Sequence, residues 1–293
     1  MGTAGKPWTS GQFGCVRSDG WQMHEGLDIQ CLQRDPKGEP IDPVLATAAG
    51  TVAYCNRRAE LSNYGNYLIL RHLIDGVEIY SLYAHLREIR SDLVPGRRVT
   101  AGEPIGRLGR TSNIRHGISR ERAHVHFELN LFLNDRFSSW YRAEFPKERD
   151  DHGKWNGQNL VGLDPQEIFL LQAQFKDKFS LRQYIRGQTE LCRVLVPDTS
   201  FPWLSRYALL IRRNPVAERE GIAGYEVALN YNGVPFQLVP QAPSEVKSHS
   251  RIRLVSVNET EYRKRPCRKL VARHGSQWSL TQRGFNLIEL LAY

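Results

Sequence analysis

The stretch "AHVHFELNLFL", residues 123–133, alternates apolar and polar residues from Ala123 through Leu131. On a strand, successive side chains point to opposite faces. His124, His126 and Glu128 therefore share one face, while Val125, Phe127 and Leu129 turn towards a core.

Working outward, residues from about 44 to 131 repeat the same pattern. "VLATAAGTVAYC", "YGNYLILRHL", "VEIYSLYAHL" and "EPIGRLG" are rich in Val, Ile, Tyr and Leu, are broken by Gly and Asn, and alternate close to period two. They predict a compact antiparallel sheet. Two connections carry the turn residues, "VPGRRVTAGEP" at 94–104 and "GRTSNIRHGISRERA" at 109–123. The second is long and basic, the kind of loop on which sites are built.

The polar stretch "NDRFSSWYRAEFPKERDDHGKWNGQNL" at 134–160 interrupts the strands. "VGLDPQEIFLLQAQF" follows, with Asp164 at an N-cap position and Pro165 at the first helical place, so a helix is expected from about 165. Further on, "ELCRVLVP", "RYALLIRR", "GYEVALNYNGVPFQLVP", "SRIRLVSV" and "RKLVARHG" read as strands, with Asn232-Gly233 as a hairpin turn. The chain divides into residues 1–175, with an insertion at about 132–162, and a β-rich region at 180–293.

A chain of 293 residues can bury a full core, and 41% hydrophobic with 24% charged residues suits a folded globule. Forty Lys and Arg against 31 Asp and Glu leave a formal +9, which favours polyanionic surroundings. The densest basic run, "YRKRPCRK" at 262–269, reads as a solvated edge strand, and without a recognisable binding motif nucleic acid is not an expected partner. No segment reaches the ~18 apolar residues of a membrane helix. The start "MGTAGKPWTSG" lacks the apolar core of a secretory signal, so any export signal is expected to have been removed before it.

The five cysteines, Cys15, Cys31, Cys55, Cys192 and Cys267, contain no C-x-x-C pair. Their odd number leaves at least one thiol outside any internal bridge. A Cys31–Cys55 bridge would suit an oxidising compartment, and five reduced thiols fit equally well.

In "WQMHEGLDIQ", residues 21–30, His24 and Asp28 stand four apart with Gly26 between them. The glycine and the strand-like run that follows favour a loop entering a strand over a helix. Zinc takes N and O donors, and catalytic centres use three protein ligands plus water. Two histidines and one aspartate supply that set. Each motif alone is common by chance, and their joint occurrence around intervening strands carries the signal.

At this point a family resemblance appears. "HEGLD" is similar to the H-x-G-x-D of the lysostaphin-type (LytM-domain) zinc metallopeptidases, "HVHFEL" to their H-x-H and "YSLYAHL" to their Y-x-H-L. "FGCVR" at 13–17 resembles their F-G-x-R opening with one residue more, and "GNYLILRH", "VPGRRVTAGEPIGRLGRT" and "GLDPQEIF" resemble further segments in the same order. The resemblance covers residues of about 10–172.

It implies a mainly β fold: an antiparallel LytM-type (lysostaphin-like, duplicated-hybrid-motif) catalytic domain followed by a second β-rich domain. It also implies zinc ligands His24, Asp28 and His126, with His85 and His124 outside the ligand set. One of those two would take the water proton, with His124 favoured, and the other would stabilise the oxyanion or protonate the leaving amine. The implied activity is hydrolysis of peptide cross-links of bacterial peptidoglycan by a zinc metalloendopeptidase of the cell envelope, periplasmic or secreted. The alternative is a non-catalytic LytM-type module that regulates a wall amidase. Such modules have usually lost ligands, whereas all five positions are filled here.

Around this site, the loops at 56–66 and 109–123 are expected to wall the groove, with Arg110, Arg115, Arg120 and Arg122 as solvated residues or attractors of wall carboxylates. Arg17 suits either a substrate contact or a structural pair. Glu128 reads as a solvated or salt-bridged strand residue rather than a support for His126. His72 is expected to be structural and His116, His152, His249 and His274 to be surface residues. Trp203, Tyr225, Tyr231 and Phe236 read as core.

Overall fold

The computed structural model describes residues 8–246 and 251–293, so His249 lies outside the described residues. Its strands pair antiparallel, and the mainly β architecture expected from the alternation is what forms.

The hairpin β1 (Gly14–Arg17) and β2 (Gln22–His24) leads directly into β3 (Leu27–Gln30). Next come β4 (Pro43–Leu45), β5 (Gly50–Asn56), β6 (Tyr67–Ile74), β7 (Val77–Ala84), β8 (Glu88–Ile89), β9 (Arg98–Val99) and β10 (Pro104–Arg107). The long β11 (His124–Phe132), helix α1 (Phe137–Glu144) and β12 (Leu160–Leu163) complete this half. A seven-stranded sheet runs β12-β11-β7-β6-β5-β9, with β3 also paired to β11, and β4, β10 and β8 form a separate three-stranded sheet. Along one edge of β11, β3 pairs with residues 124–127 and β12 with residues 129–132.

β11 is buried at every position. Val125, Phe127 and Leu129 enter the main core, as the alternation predicts. The opposite face carries the histidines and ends in a smaller cluster of Tyr67, Ile69, Tyr80, Leu82 and Phe132, against which Trp155 packs. Each large apolar side chain fully withdrawn from water contributes about 1.5–3 kcal/mol. Trp155 comes from the 134–160 stretch, which also forms α1 with Phe137, Trp140 and Tyr141 buried along one face.

Helix α2 (Pro165–Phe175) starts where expected, with the Asp164 carboxylate accepting from the Glu167 N–H. After it come α3 (Leu181–Arg186), β13 (Cys192–Val196), α4 (Pro202–Arg206), α5 (Pro215–Glu220), β14 (Gly224–Leu229) and β15 (Pro235–Gln241). The chain ends with α6 (Pro243–Val246), β16 (Arg253–Val257), α7 (Glu259–Lys264), β17 (Val271–His274), β18 (Gln277–Leu280) and α8 (Gln282–Ala292). The order β15-β14-β13-β16 makes a four-stranded antiparallel sheet, with β17 and β18 as a hairpin. Gly233 takes φ +91° in the β14–β15 connection, so the Asn232-Gly233 turn is real. Trp203, Tyr225, Tyr231 and Phe236 are all buried.

Three expectations need correction. "RYALLIRR" is not a strand: it is the end of α4 and a 3-10 turn at Ala208–Leu210, with Ile211 making an isolated bridge to Leu238. Trp203, Tyr207 and Leu210 are the buried residues there, a helical spacing with which the Arg, Ala and Leu around them agree. "YRKRPCRK" is not an edge strand, because Asn258 caps α7 by accepting from the Glu261 N–H, and the helix runs to Lys264 before a turn at Cys267 and Arg268. The disulfide joins Cys15 to Cys267, with Cα atoms 5.3 Å apart, and Cys31, Cys55 and Cys192 are free.

One hydrophobic cluster extends from Phe13 to Leu291. Polar contacts follow it: Phe132 N donates to the Tyr207 hydroxyl, Asn232 Nδ2 to Gly162 O, and Arg206 pairs with Glu78. No helix among the described residues is long and apolar enough to cross a membrane.

Candidate metal centre

β2 ends at His24, the chain bends at Gly26, and Asp28 lies in β3. A Cβ on Gly26 would sit 2.5 Å from Phe127 O and 2.8 Å from the His126 ring, so only glycine lets this bend lie against β11. The β3–β11 register places Asp28 directly across from His126, and on the other side of β11 His126 faces Ala84. His85 follows Ala84 with φ +60°, a left-handed conformation that non-glycine residues hold only at a cost of about 1–3 kcal/mol.

These placements bring His24, Asp28 and His126 together. Asp28 Oδ1 lies 3.1 Å from His24 Nε2 and 3.0 Å from His126 Nδ1, and those two nitrogens are 3.0 Å apart. Asp28 Oδ2 accepts from the Arg17 guanidinium at 3.1 Å, so Arg17 takes the structural of its two expected roles. His124 Nε2 is 3.4 Å from Asp28 Oδ1, and the His85 ring centroid is 4.9 Å from that of His124.

The far nitrogen of each ring faces an acceptor. His24 Nδ1 meets Gln12 O at 2.8 Å, His85 Nδ1 meets Thr111 O at 2.8 Å, and His124 Nδ1 meets Arg122 O at 2.6 Å. A carbonyl can only accept, so in each ring Nδ1 carries the hydrogen and Nε2 is left bare. His126 is turned the other way, with Nε2 2.8 Å from Glu128 Oε1 and Nδ1 facing Asp28.

Glu128 is fully buried, so of its expected states the solvated one is corrected and the salt-bridged one holds, with His126 as its partner; it also accepts from the Tyr64 hydroxyl at 2.7 Å and from Asn130 Nδ2 at 2.8 Å. Burial opposes charge on His126, but hydrogen bonds to Asp28 and Glu128 outweigh it and push the imidazole up to about 9. Burial would raise Asp28, yet His126, His24 and His124 hold its carboxyl far below the usual range. His85 is pushed down to about 3, by burial first and then by repulsion from His124 and His126, and burial also lowers His124. Both are therefore neutral at pH 7.

The donor set fits zinc. Bond lengths of about 2.0–2.1 Å place tetrahedral donors about 3.3 Å apart. The observed separations of 3.0–3.1 Å are within a few tenths of an ångström of that, with both nitrogens and the carboxylate oxygen turned to one point.

The centre opens into a groove of about 850 Å³ lined in part by Arg17, His24, His85 and His126. Leu61, Ser62, Asn63 and Tyr64 wall it, as expected of the 56–66 loop, whereas the 109–123 loop contributes Asn113 alone. Arg110 and Arg120 instead grip Glu39, and the Arg110 hydrogen bond above all holds that carboxyl down at about 2. Two walls were not foreseen, one running from Tyr141 to Gln158 in the insertion and the other formed by Arg268. His152 belongs to the first, bonded to the Tyr54 hydroxyl and Leu61 O, and is no free surface residue. His116 and His274 are exposed, and His72 is structural, held between Ala49 O and the Ser81 hydroxyl.

Residues 22–136 match the model of Peptidase family M23, whose members are zinc metallopeptidases. The lysostaphin-type resemblance is therefore borne out for this part of the chain. Among solved structures, a catalytic-domain variant of the prophage-encoded M23 protein EnpA from Enterococcus faecalis aligns at 20% identity and TM-score 0.30, covering 40% of this chain and 75% of its own. The catalytic domain of the antimicrobial peptidase lysostaphin from Staphylococcus simulans aligns at 20% identity and TM-score 0.32, covering 55% and 87%. Lysostaphin itself, from the same organism, aligns at 20% identity and TM-score 0.33, covering 64% and 63%. No curated protein matches the chain.

Proposed function

We propose that the M23 region of this chain is a zinc metalloendopeptidase that hydrolyses peptide cross-links of bacterial peptidoglycan. The observation that carries this reading is the convergence of the His24, Asp28 and His126 donors beside two neutral imidazoles, a buried His124 and a half-buried His85, with bare Nε2 atoms.

His24, Asp28 and His126 would hold the metal, which supplies a Lewis acid for the attacking water and the scissile carbonyl. Arg17 fixes the outer oxygen of Asp28, and Glu128 fixes the ring of His126. His124, with Nδ1 anchored on Arg122 O, takes the proton from water at Nε2 and returns it to the leaving amine. His85 presents a second bare Nε2. In that tautomer it accepts rather than donates, so it can take the water proton in place of His124 but cannot hold an oxyanion.

Action on wall peptides puts the protein in the bacterial envelope, periplasmic or secreted, and the Cys15–Cys267 bridge suits an oxidising compartment. The regulatory alternative would be supported by a lost donor, and none of the five positions is lost. We assign residues 1–175 to the catalytic domain and residues 180–293 to a second domain.

Mass spectrometry of purified peptidoglycan digested with the zinc-loaded protein, beside the His124→Ala variant, tests the reading. Loss of cross-linked muropeptides with the intact protein alone is expected. Zinc binding without any wall product overturns it.

A further inference from the structure

Arg268 stands in the loop after Cys267, which the disulfide ties to Cys15 at a sequence separation of 252. From there its side chain lines the histidine groove, far along the chain from the family match at residues 22–136. One guanidinium nitrogen donates to Glu25 Oε1 at 3.1 Å, while Nε is shielded from solvent and has no partner among the described residues. A guanidinium offers five donors in a planar fork that matches a carboxylate, and a shielded N–H left unpaired costs free energy until a ligand meets it.

A second hollow of about 740 Å³ continues the groove and shares Arg17, Glu25, Asn63 and Arg268 with it. It adds the exposed Lys269 and Arg283. Among the described residues this arm therefore holds Arg17, Arg268, Lys269 and Arg283 against Glu25 as its one carboxylate. On the insertion side the balance reverses, with Glu148 and Asp151 against Arg149. The groove is polarised from end to end.

We propose that the arm built by the 267–283 segment is a subsite for a free carboxylate of the peptide substrate, with Arg268 as the residue that binds it. The inference rests on the peptidase reading for its substrate class. Arg17 is committed to Asp28, and Glu25 holds one guanidinium nitrogen of Arg268, so the remainder of the fork is what an incoming carboxylate meets. Lys269 and Arg283 add long-range attraction from the rim. The second domain thus forms part of the substrate site.

Equilibrium binding of a synthetic wall stem tetrapeptide with a free C-terminal carboxylate, against the same peptide as its C-terminal amide, tests this on the full-length zinc-loaded protein. The acid should bind about tenfold more tightly, the scale of one charge-assisted hydrogen bond. Arg268→Gln should bring the acid-to-amide ratio close to one, and Arg268→Lys should restore part of it. A thermal melt and an intact-mass check of the disulfide accompany each variant.

If Arg268→Gln does not fold, the surface double variant Lys269→Gln/Arg283→Gln decides: a ratio reduced about threefold supports the subsite, and an unchanged ratio overturns it. Equal binding of acid and amide by the unsubstituted protein, or binding of neither, also overturns it. Binding needs no turnover, so acid selectivity beside a wall digest that loses no cross-linked muropeptide refutes the peptidase reading and leaves the subsite standing. Cleavage without acid selectivity does the reverse.

Discussion

Replacing Glu128 by Gln tests whether the buried carboxylate behind His126 builds the metal centre. Glu128 Oε1 accepts from His126 Nε2 and from the Tyr64 hydroxyl, and Oε2 accepts from Asn130 Nδ2. Gln keeps the shape and one carbonyl oxygen for His126 and Tyr64, and Asn130 can turn its amide to accept from the new NH2. What is lost is the charge, and with it the extra basicity that His126 passes to a metal at Nδ1. Partners of this kind typically change metal affinity 10–100-fold, or about 1.4–2.7 kcal/mol.

The assay is competition for zinc against a chromophoric chelator. A pH near 8.5 is preferable to 7, because the same carboxylate helps push His126 up to about 9 and a proton there competes with the metal. Glu128→Ala makes the control, since it strands three donors at about 1–3 kcal/mol each and should lower the melting temperature, whereas Gln should barely move it. A Gln variant that keeps zinc affinity within twofold of the unsubstituted protein would refute the supporting role of Glu128.

Gly26→Ala should cost about 1–3 kcal/mol in a denaturant melt and weaken zinc at least tenfold, because its Cβ would press 2.5 Å from Phe127 O; unchanged values for both would sink the close-approach explanation. Cys15→Ser/Cys267→Ser opens a loop closed across 252 residues and should lose about 2–5 kcal/mol, so an unaltered melt would deny the bridge its stabilising part. Glu39 is held down at about 2, against an ordinary value of 4.5, by Arg110 and Arg120. A depressed carboxyl contributes stability that is present above its unfolded value and lost as pH falls through the folded one. The Glu39→Gln variant should therefore have a flatter stability profile than the parent between pH 4.5 and 2, and parallel profiles by urea denaturation would exclude the pair.

What sequence could and could not reveal follows from how far each feature reaches along the chain. The strand at 124–132 and the cap at Asp164 are set by neighbours within a few residues, and both form as read. His24 and Asp28 were legible as donors, but their meeting with His126 depends on the β3–β11 register across 98 residues. The solvated reading of Glu128 failed because surface or interior cannot be told from alternation alone when both faces of a sheet are covered. "RYALLIRR" misled because a short apolar run fits strand or helix alike, and the helical spacing of Trp203, Tyr207 and Leu210 begins outside it. The insertion helix was legible in the same way, through Phe137, Trp140 and Tyr141. Arg268 carried no local signal, since its partner Glu25 lies 243 residues away.

That distance also couples the two halves of the chain mechanically. Cys15 pairs across the first hairpin with Met23, and Cys267 Sγ lies 3.7 Å from Met23 Sδ. Met23 immediately precedes His24, whose ring is fully buried, so the bridge sits one residue from the first proposed ligand. Arg17, at the end of the same hairpin, holds the outer oxygen of Asp28. A shift of the 267–269 loop would therefore be felt at two of the three donors, through β2 at His24 and through β1 at Asp28. Because packed interiors transmit strain rather than absorb it, the C-terminal region should help fix the proposed metal centre as well as wall its groove.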